Sequence, residues 1–437
     1  MSAYWLHNAS VPQSLLQMPA HWQASPQGLH YYQQQDKLVG VHILIKDNLI
    51  AEIYPASHTE LGDIPIKELH HNLVLPCFVD MHTHLDKGHM WQRQPNLRCD
   101  FQGALSAVWQ DYQNWHYEDV YRRMDFGLQC SYAHGTKAVR THLDCPPQLL
   151  DIVIPVFQDL QKQWSGKIDL QAVSLVSLDT YMGDYGQILA DRVAEIGGIL
   201  GGVAYMHDRL DTELDHLIHL ARERHLDLDL HTDENGDPRS LTLWHTAQSV
   251  IKNNFPNAVV CGHCCSLSVQ SPAIVQATIN LLADLNMGIV SLPLCNLYLQ
   301  DRHDHTTPRW RGITDLHALR QANIPTALAS DNCRDPFYNF GDHDLLQVLA
   351  MAVQIGHLDR PCDDWIGCVN QIPARLMKLP DPAQIQVGAY ADLIIFPARF
   401  YSELFSRPHL DRQIIRQGKF IKPALPSYRD LDDVICL

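Results

Sequence analysis

The sequence has little positive charge, which limits the partners that it is expected to bind. Its 437 residues include 33 lysines and arginines against 49 aspartates and glutamates, giving a formal net charge of −16 at pH 7. Such a chain is a poor match for the phosphates of nucleic acids or for an anionic membrane surface. We therefore expect neither nucleic acid nor a membrane as its partner.

Long hydrophobic runs and a secretion signal are also absent from the sequence. No window approaches the roughly 18 consecutive apolar residues of a membrane-spanning helix. The first residues, MSAYWLHNASVPQ, lack the basic start and the apolar segment of a signal peptide. We therefore expect a cytoplasmic protein whose 12 cysteines are reduced thiols and form no disulfide framework.

Apolar residues, by contrast, are plentiful and follow a pattern. They make up 46% of the chain, enough to bury a large core. Short β-branched runs that end in polar residues alternate with segments of helical spacing. This alternation predicts an α/β fold of the (β/α)8, TIM-like barrel type, with an open doubly wound sheet as the alternative. The predicted strands lie within residues 71–84, 136–144, 168–179, 200–207, 226–234, 258–265, 287–296 and 324–332.

The two ends of the chain differ from this pattern. Residues 37–55 predict a β-hairpin with its turn at 46–48, and residues 388–397 and 412–423 predict further short strands. We therefore expect a small β-sandwich domain built from both termini. The predicted domains are the N-terminal part of the sandwich at 1–70, the barrel at 71–384 and the C-terminal part of the sandwich at 385–437.

Histidines and an aspartate stand at the ends of several predicted strands. His82 and His84 are two residues apart, so their side chains share one face of a strand. His231 and His263 end the fifth and sixth strands, and Asp331 ends the eighth. Because the carboxyl ends of barrel strands meet at one mouth, we expect these side chains to lie together. Such nitrogens with one carboxylate suit Zn²⁺ or Fe²⁺ with an open coordination position.

The segment 258–265, AVVCGHCC, permits a second interpretation. Cys261 and Cys264 around Gly-His have the spacing of a thiol–disulfide exchange site. That chemistry needs a cysteine pair at a helix N-terminus in a thioredoxin-like fold, which the strand pattern does not predict. Strand alternation instead points His263 toward the barrel mouth and leaves Gly262 and Cys264 facing the other way.

A series of motifs follows in order from about residue 37 to about residue 423. They are LPCFVDMHTHLDK, VRTHLD, HTDE, CGH, LPLCNLYLQDR, RGIT, SDNCRDPFYNFGDHDLLQVL and GAYADLIIFP. Together they resemble the bacterial cytosine deaminases of the metal-dependent amidohydrolase superfamily. The resemblance implies a TIM-like barrel with a β-sandwich, and one divalent metal ion, iron or zinc, as cofactor.

The resemblance also implies roles for individual residues. Four match the family's metal ligands: His82, His84, His231 and Asp331. Glu234 matches its proton shuttle, and His263 matches the imidazole beside the attacking water. Asp331 would serve as ligand and base. A two-metal branch of the superfamily needs a lysine after the fourth strand, which here ends AYMHDR, so a single metal ion is favoured.

The implied reaction is the hydrolytic deamination of a nitrogen heterocycle, with cytosine converted to uracil and ammonia by hydroxide that the metal ion supplies. Alternatives at the same metal site are an N-alkylamino-triazine, isoguanine or a creatinine-like cyclic amidine. A non-catalytic scaffold protein is a further alternative, but it predicts lost ligands. We expect a small heterocycle as partner and a homo-oligomer as the assembly.

The substrate contacts depart from those of the pyrimidine enzyme. Ser177 occupies the position of the glutamine that binds the pyrimidine edge in the cytosine deaminases. Asn332 and Phe337 occupy the positions of an aspartate and a tryptophan of that family. Asn296, after the seventh strand, is also predicted to bind substrate. Because such exchanges change specificity, the natural heterocycle stays open.

Three other polar residues are assigned ordinary structural roles. Lys87, which follows HTHLD, is expected to be a solvated loop lysine. His207 is expected to be an ordinary hydrogen-bonding histidine. His142 is expected to orient its neighbours through Asp144.

Overall fold

A computed structural model describes residues 3–19, 31–33, 35–285 and 287–435. The chain divides into two compact units. The first consists of Met1–Val79, Tyr132–Lys137 and Leu345–Leu425. The second consists of Asp80–Ser131, Ala138–Asp344 and Pro426–Leu437. The predicted domain boundaries at 70/71 and 384/385 stay a prediction.

Helices and strands alternate through the middle of the chain. The strands β1 to β17 are Ala3–Pro12, Tyr31–Gln33, Leu38–Lys46, Leu49–Pro55, Ile66–Glu68, Leu73–Pro76, Phe78–Thr83, Thr136–Asp144, Asp169–Leu175, Leu200–Val203, Leu228–Thr232, Val259–His263, Met287–Ser291, Thr326–Leu328, Leu393–Phe396, Gln413–Arg416 and Lys419–Ile421. The α-helices α1 to α13 are Phe101–Asp111, Tyr117–Ala133, Leu150–Gln163, Asp184–Glu195, Leu210–Glu223, Thr242–Lys252, Pro272–Ala283, Pro293–Leu299, Leu316–Gln321, Leu345–Gly356, Asp363–Ile366, Gln371–Leu376 and Tyr401–Leu404. Among the described residues, no helix has the length and apolar character needed to cross a membrane.

Strands from both ends of the chain join in one nine-stranded sheet. Its order is β17-β16-β15-β6-β1-β3-β2, with β4 beside β3 and β5 beside β1. Alternating aliphatic residues of these strands form a buried core, among them Val41, Ile43, Val74 and Leu393. The participation of both termini is as predicted.

The predicted N-terminal hairpin is confirmed. Strands β3 and β4 pair antiparallel, and Lys46 lies opposite Leu49. Asp47, between them, has a φ of 60°. Aspartate is one of the few non-glycine residues that enter this left-handed region readily, which suits it to a tight turn.

The strands of the central region form parallel sheets. One sheet has the order β7-β8-β9 and the other the order β10-β11-β12-β13-β14. Parallel bridges link Val173 to Ile199 and Thr83 to Asp331, so each sheet is connected to the other at both edges. Helices follow most of these strands. This is the α/β fold that the alternating pattern predicts, and its parallel sheets are consistent with a TIM-like barrel.

The first predicted strand, at 71–84, is in fact two strands with different partners. Residues of β6 pair antiparallel with β15 in the nine-stranded sheet, with Pro76 opposite Leu393. After Cys77, β7 joins β8 in a parallel-strand sheet. Pro76 has no backbone N–H and cannot donate to a sheet ladder, which suits it to the point where one pairing ends.

Candidate active site

Four buried side chains meet at the carboxyl ends of the parallel strands. His82 lies in β7 and His231 in β11, His84 follows β7 directly, and Asp331 is the third residue after β14. The His84 Nε2 atom is 3.2 Å from Asp331 Oδ1 and 3.3 Å from His231 Nε2. The His82 Nε2 atom is 3.7 Å from the same carboxylate oxygen. The structure therefore brings together the four residues that match the family's metal ligands.

These side chains fit a divalent cation. Both ring nitrogens of His82 and the Nδ1 atoms of His84 and His231 are buried with no hydrogen-bond partner among the described residues. A buried nitrogen left unpaired costs free energy, and coordination would offset that cost for the one nitrogen of each ring that faces the ion, as His82 Nε2 faces Asp331. Burial lowers the pKa of all three imidazoles well below its ordinary value, so the rings are neutral and keep a lone pair for a metal.

A further histidine lies against this cluster. The His142 ring centroid is 3.9 Å from that of His82 and 4.8 Å from that of His231. One nitrogen of each of these three rings lies within 4.8 Å of the others, so they form a second possible set of metal donors. The expectation that His142 acts through Asp144 is wrong. The Asp144 carboxylate bonds to Lys87, whose buried positive charge attracts it more strongly than a neutral ring.

Glu234 and His263 lie beside each other next to the ligand cluster. The His263 Nδ1 atom is 3.4 Å from Glu234 Oε1 and 3.0 Å from Asn296 Nδ2. The Gln300 Nε2 atom donates to the Glu234 backbone oxygen at 3.2 Å. Asn296 is fully buried and contacts His263, and it is not among the residues that line the cavity in front of the cluster.

Burial shifts the pKa values of His263 and Glu234 in opposite directions. It lowers the pKa of His263 to about 3, so the imidazole is neutral. Burial and the negative charge of Asp331 raise the pKa of Glu234 well above its ordinary value, so its carboxyl group keeps its proton to higher pH than an exposed glutamate does. The two groups are therefore suited to hydrogen bonding and to proton transfer.

The backbone turns sharply at the end of β12. His263 and Cys264 both have positive φ, 66° and 51°. A Cβ atom on Gly262 would lie 2.9 Å from His82 Cε1, so this glycine faces the histidine cluster. The expectation that strand alternation turns Gly262 away is wrong, because the left-handed turn redirects the side chain of His263.

The cysteines of the same segment do not form a redox site. Cys261 lies within β12, and Cys264 comes before a 3-10 turn and not at the start of an α-helix. Both are buried free thiols. Burial raises their pKa, which disfavours the reactive thiolate.

A cavity of about 680 Å³ opens in front of the cluster. Ser177, Asn332 and Phe337, three of the predicted substrate-binding residues, line it. The Asn332 Nδ2 atom donates to Asp335 Oδ2 at 2.8 Å, and the Phe337 ring lies 5.6 Å from the Phe101 ring. This size is in the range of small-molecule sites.

One wall of the cavity was missed by sequence reasoning. It is an apolar stripe of α1 and the residue after it: Phe101, Leu105, Val108, Trp109 and Tyr112. These residues recur at helical spacing, a signal that was present in the sequence. The spacing alone does not say whether an apolar face meets the core or a ligand cavity.

Two further polar residues line the cavity. Lys87 is only 3% exposed, and its Nζ atom lies 2.5 Å from Asp144 Oδ1. The expectation of a solvated loop lysine is wrong, because the carboxylate of Asp144 compensates its burial. His207 also lines the cavity, and its Nε2 atom lies 3.0 Å from Glu213 Oε2. Its hydrogen-bonding role is as expected.

Comparison with known proteins shows the family of this chain. The Amidohydrolase family model matches residues 153–419. A pterin deaminase of Rhizobium rhizogenes strain K84 is 47% identical over 400 residues, which are 91% of this chain and 91% of that protein. This chain therefore belongs to the amidohydrolase family, whose members are hydrolases that use a divalent metal ion. The family places it among enzymes that act on carbon–nitrogen bonds.

Two other proteins are more distant. An N-isopropylammelide isopropyl amidohydrolase of Pseudomonas sp. strain ADP is 25% identical over 340 residues, 74% of this chain and 79% of that protein. The crystal structure of 5-methylcytosine deaminase from Klebsiella pneumoniae, liganded with 5-fluorocytosine, has a TM-score of 0.79 at 23% identity. That likeness covers 96% of this chain and 97% of the other, and it concerns the fold.

Proposed function

We propose that this protein is a hydrolytic deaminase of an amino-substituted nitrogen heterocycle. One observation carries the proposal: Glu234, with its raised pKa, shares a cavity with His84, His231 and Asp331. A proton donor beside a set of metal ligands is what the replacement of an amino group by water requires. The residues proposed to hold the ion are His82, His84, His231 and Asp331.

The reaction can be divided among these groups. A divalent ion held by His82, His84, His231 and Asp331 would supply hydroxide at neutral pH. Asp331 accepts the proton of the attacking water. Glu234 donates a proton to the ring nitrogen next to the reacting carbon, takes up the proton of the hydroxyl group that has added, and passes it to the departing amino group. The proton held by Asp331 then restores Glu234. A carbon–oxygen bond forms, the carbon–nitrogen bond breaks, and the products are an oxo ring and ammonia.

His263 is proposed to stabilise the oxygen that adds to the ring. When Asn296 donates to Nδ1, the single proton of the neutral imidazole is on Nε2. That Nε2 atom is buried and has no hydrogen-bond partner among the described residues. It is therefore available to donate to negative charge that develops on oxygen. Asn296, predicted to bind substrate, is proposed instead to position His263.

Pterin is the first candidate substrate. The relative named pterin deaminase is 47% identical over 91% of both chains. The cavity, about 680 Å³ with Phe101 and Phe337 in its wall, has room for a fused two-ring heterocycle. Hydrolysis of the 2-amino group of pterin would give 2,4-dioxopteridine and ammonia.

Cytosine is the second candidate, on the strength of the motifs that resemble bacterial cytosine deaminases. Alkylamino-triazines, isoguanine and creatinine-like cyclic amidines are lower-ranked alternatives. Ser177, Asn332 and Phe337 are the side chains proposed to distinguish among these rings, since all three line the cavity.

Two structural features are proposed with this function. The bridges between the parallel sheets at both edges support a closed eight-stranded barrel. The nine-stranded sheet of the first unit supports the small β-sandwich domain predicted from both termini. Zinc or iron is the proposed ion, because both accept imidazole and carboxylate ligands.

The first test is ammonia release by metal-loaded enzyme from pterin, cytosine, isocytosine, isoguanine, creatinine and aminotriazines. Glu234→Gln and His231→Ala are expected to lower turnover by at least about 100-fold, since each removes a group from the chemistry. The exposed Glu195→Gln, on α4, serves as the matched control and should retain wild-type turnover. A metal-loaded wild type that releases no ammonia from any of these rings would contradict the proposal.

A further inference from the structure

Lys87 holds a buried positive charge at the cavity wall. The residue is 3% exposed, yet it lines the cavity together with His84 and Glu234. Its Nζ atom donates to Asp144 Oδ1 at 2.5 Å and lies 5.8 Å above the centre of the Phe337 ring. A charge in such a position is retained only where specific partners compensate its desolvation.

The carboxylate that pairs with Lys87 is itself held in place. The Tyr112 hydroxyl donates to Asp144 Oδ2 at 2.9 Å. The Asp144 backbone N–H donates to Asp86 Oδ2 at 2.6 Å. Burial acts to lower the pKa of Lys87, but Asp144 and Asp86 outweigh it and raise the pKa, so the side chain is an ammonium ion.

The ammonium group has unused hydrogen-bonding capacity. A lysine ammonium carries three donors. Within the part of the chain that the structure describes, Asp144 is the one hydrogen-bond acceptor of Lys87. Because the residue lines the cavity, an acceptor atom of a bound molecule is the natural partner for a remaining N–H.

The charge of Lys87 also reaches the reacting end of the cavity. Lys87 lines the same cavity as Glu234 and Asp331, so a ring whose reacting carbon faces these carboxyl groups lies within range of the ammonium charge. A group there is suited to a ring oxygen that gains negative charge when hydroxide adds to a conjugated carbon.

We propose that Lys87 binds the carbonyl oxygen of the heterocycle and thereby selects rings that carry an oxo group conjugated with the amino-bearing carbon. This inference rests on the proposed function and deepens it. The selected class includes 2-amino-4-oxo and 4-amino-2-oxo rings, so it holds for pterin and for cytosine. Rings with an amino group in place of the carbonyl offer a donor to the ammonium and are disfavoured.

The test compares pterin with 2,4-diaminopteridine, in which an amino group replaces the carbonyl. The wild type is expected to favour pterin in kcat/KM. Lys87→Met should reduce that preference by about 10- to 100-fold, the size expected for the loss of one hydrogen bond to a charged group. Lys162→Met, which removes an exposed lysine 3.4 Å from Asp159, is the matched control and should leave the preference unchanged.

A double variant separates recognition from folding. Lys87→Met leaves Asp144 buried without its cation, which can destabilise the fold. In Lys87→Met/Asp144→Asn the net charge is balanced, and the asparagine still offers an oxygen to Tyr112. This variant should keep the wild-type melting temperature within a few degrees and still lack the preference for pterin. An equal loss of activity on both rings in both variants overturns the inference.

A binding measurement keeps the inference separate from the deaminase proposal. Calorimetry should show that 2,4-dioxopteridine binds about 10- to 100-fold more weakly to Lys87→Met than to wild type, whereas unsubstituted pteridine binds equally. Wild type that binds the dioxo ring through Lys87 but releases no ammonia contradicts the deaminase proposal alone. Ammonia release with an unchanged affinity in Lys87→Met contradicts the role of Lys87 alone. Absence of binding and of turnover contradicts both.

Discussion

At the scale of single residues, the absence of a side chain at Gly262 matters as much as the presence of the histidines. This glycine faces the His82 ring, and a Cβ atom would lie 2.9 Å from His82 Cε1. Glycine is used where another group must approach the backbone this closely. The ring of His82 therefore takes its position partly because the facing strand leaves room for it.

Gly262→Ala is expected to displace the His82 ring. We predict a loss of unfolding free energy of about 1–3 kcal/mol, as for overpacking in a core, together with reduced metal content and turnover. Gly183→Ala is the matched control, because a Cβ atom there meets nothing within 4 Å. Melting temperature and metal analysis check the prediction. Wild-type metal content in Gly262→Ala would show that the ring has space to move.

Two buried carboxyl groups near the site have specific hydrogen-bond donors. Asp229, buried in β11, accepts from Arg140 Nη1 at 2.8 Å, and Asp80 in β7 accepts from the backbone N–H of Ser330 at 3.1 Å. Both carboxyl groups lie on strands that also carry a site histidine. The first pair links β11 to β8, which belongs to the other parallel sheet, and the second links β7 to the segment after β14.

At the scale of elements, α1 is the helix whose position shapes the cavity. Its N-cap residue is Asp100, whose Oδ1 atom accepts from the Gly103 backbone N–H at 2.6 Å. The same carboxylate also contacts Arg98 at 2.9 Å on the exposed surface. The cap satisfies a backbone donor that the first turn of a helix leaves unpaired.

Asp100→Ala is expected to lower stability by about 0.5–2 kcal/mol through the lost cap and to raise KM, because α1 lines the cavity. Asp100→Asn is the matched control, since it keeps a capping oxygen but loses the contact of opposite charges with Arg98. Chemical denaturation and steady-state kinetics measure the two effects. If Asp100→Ala is destabilised but its KM is unchanged, the start of α1 does not affect substrate binding.

The same cap gives a pH dependence with a definite sign. Burial acts to raise the pKa of Asp100, but the Gly103 N–H and Arg98 outweigh it and lower the pKa below its ordinary value. The stabilisation is therefore present above the unfolded pKa of about 4 and is lost as pH falls through the lower folded value. The stability advantage of wild type over Asp100→Asn should shrink in that acid range.

At the scale of the whole molecule, metal binding is expected to contribute to stability. The buried, unpaired Nε2 atom of His82 would gain a partner in the metal-bound enzyme. Binding to the folded state alone adds about 4 kcal/mol when the free ion is a thousandfold above its Kd. The enzyme and its cofactor should therefore unfold as a linked system.

Removal of the ion with a chelator is expected to lower the melting temperature and abolish ammonia release. Reloading with zinc or iron should restore both, and the ion that restores the higher turnover is the functional one. His82→Ala should show the low melting temperature in both conditions, while the exposed His219→Ala on α5 should behave as wild type. A chelator-treated enzyme with full activity would contradict a metal-dependent reaction.

Much of the architecture could be predicted because it depends on neighbouring residues in the chain. Strand β8 has the bounds that the pattern TKAVRTHLD predicts, 136–144, since its apolar alternation and its boundaries are local. The turn at Asp47 and the meeting of strand ends carrying His82, His231 and Asp331 follow from similar rules. The division of residues 71–84 into two strands at Pro76 could not be predicted, because it depends on a partner strand more than 300 residues away, β15.

The sequence by itself determined the α/β class, the strand ends that carry the site and the order of motifs that resembles the cytosine deaminases. Only the tertiary structure decided that Lys87 is buried against Asp144 and that Gly262 faces His82. Periodicity tells which residues share a face of one element, but burial and contact depend on what other elements place beside that face. For Lys87 that neighbour is a carboxylate 57 positions along the chain, which makes a buried charge possible.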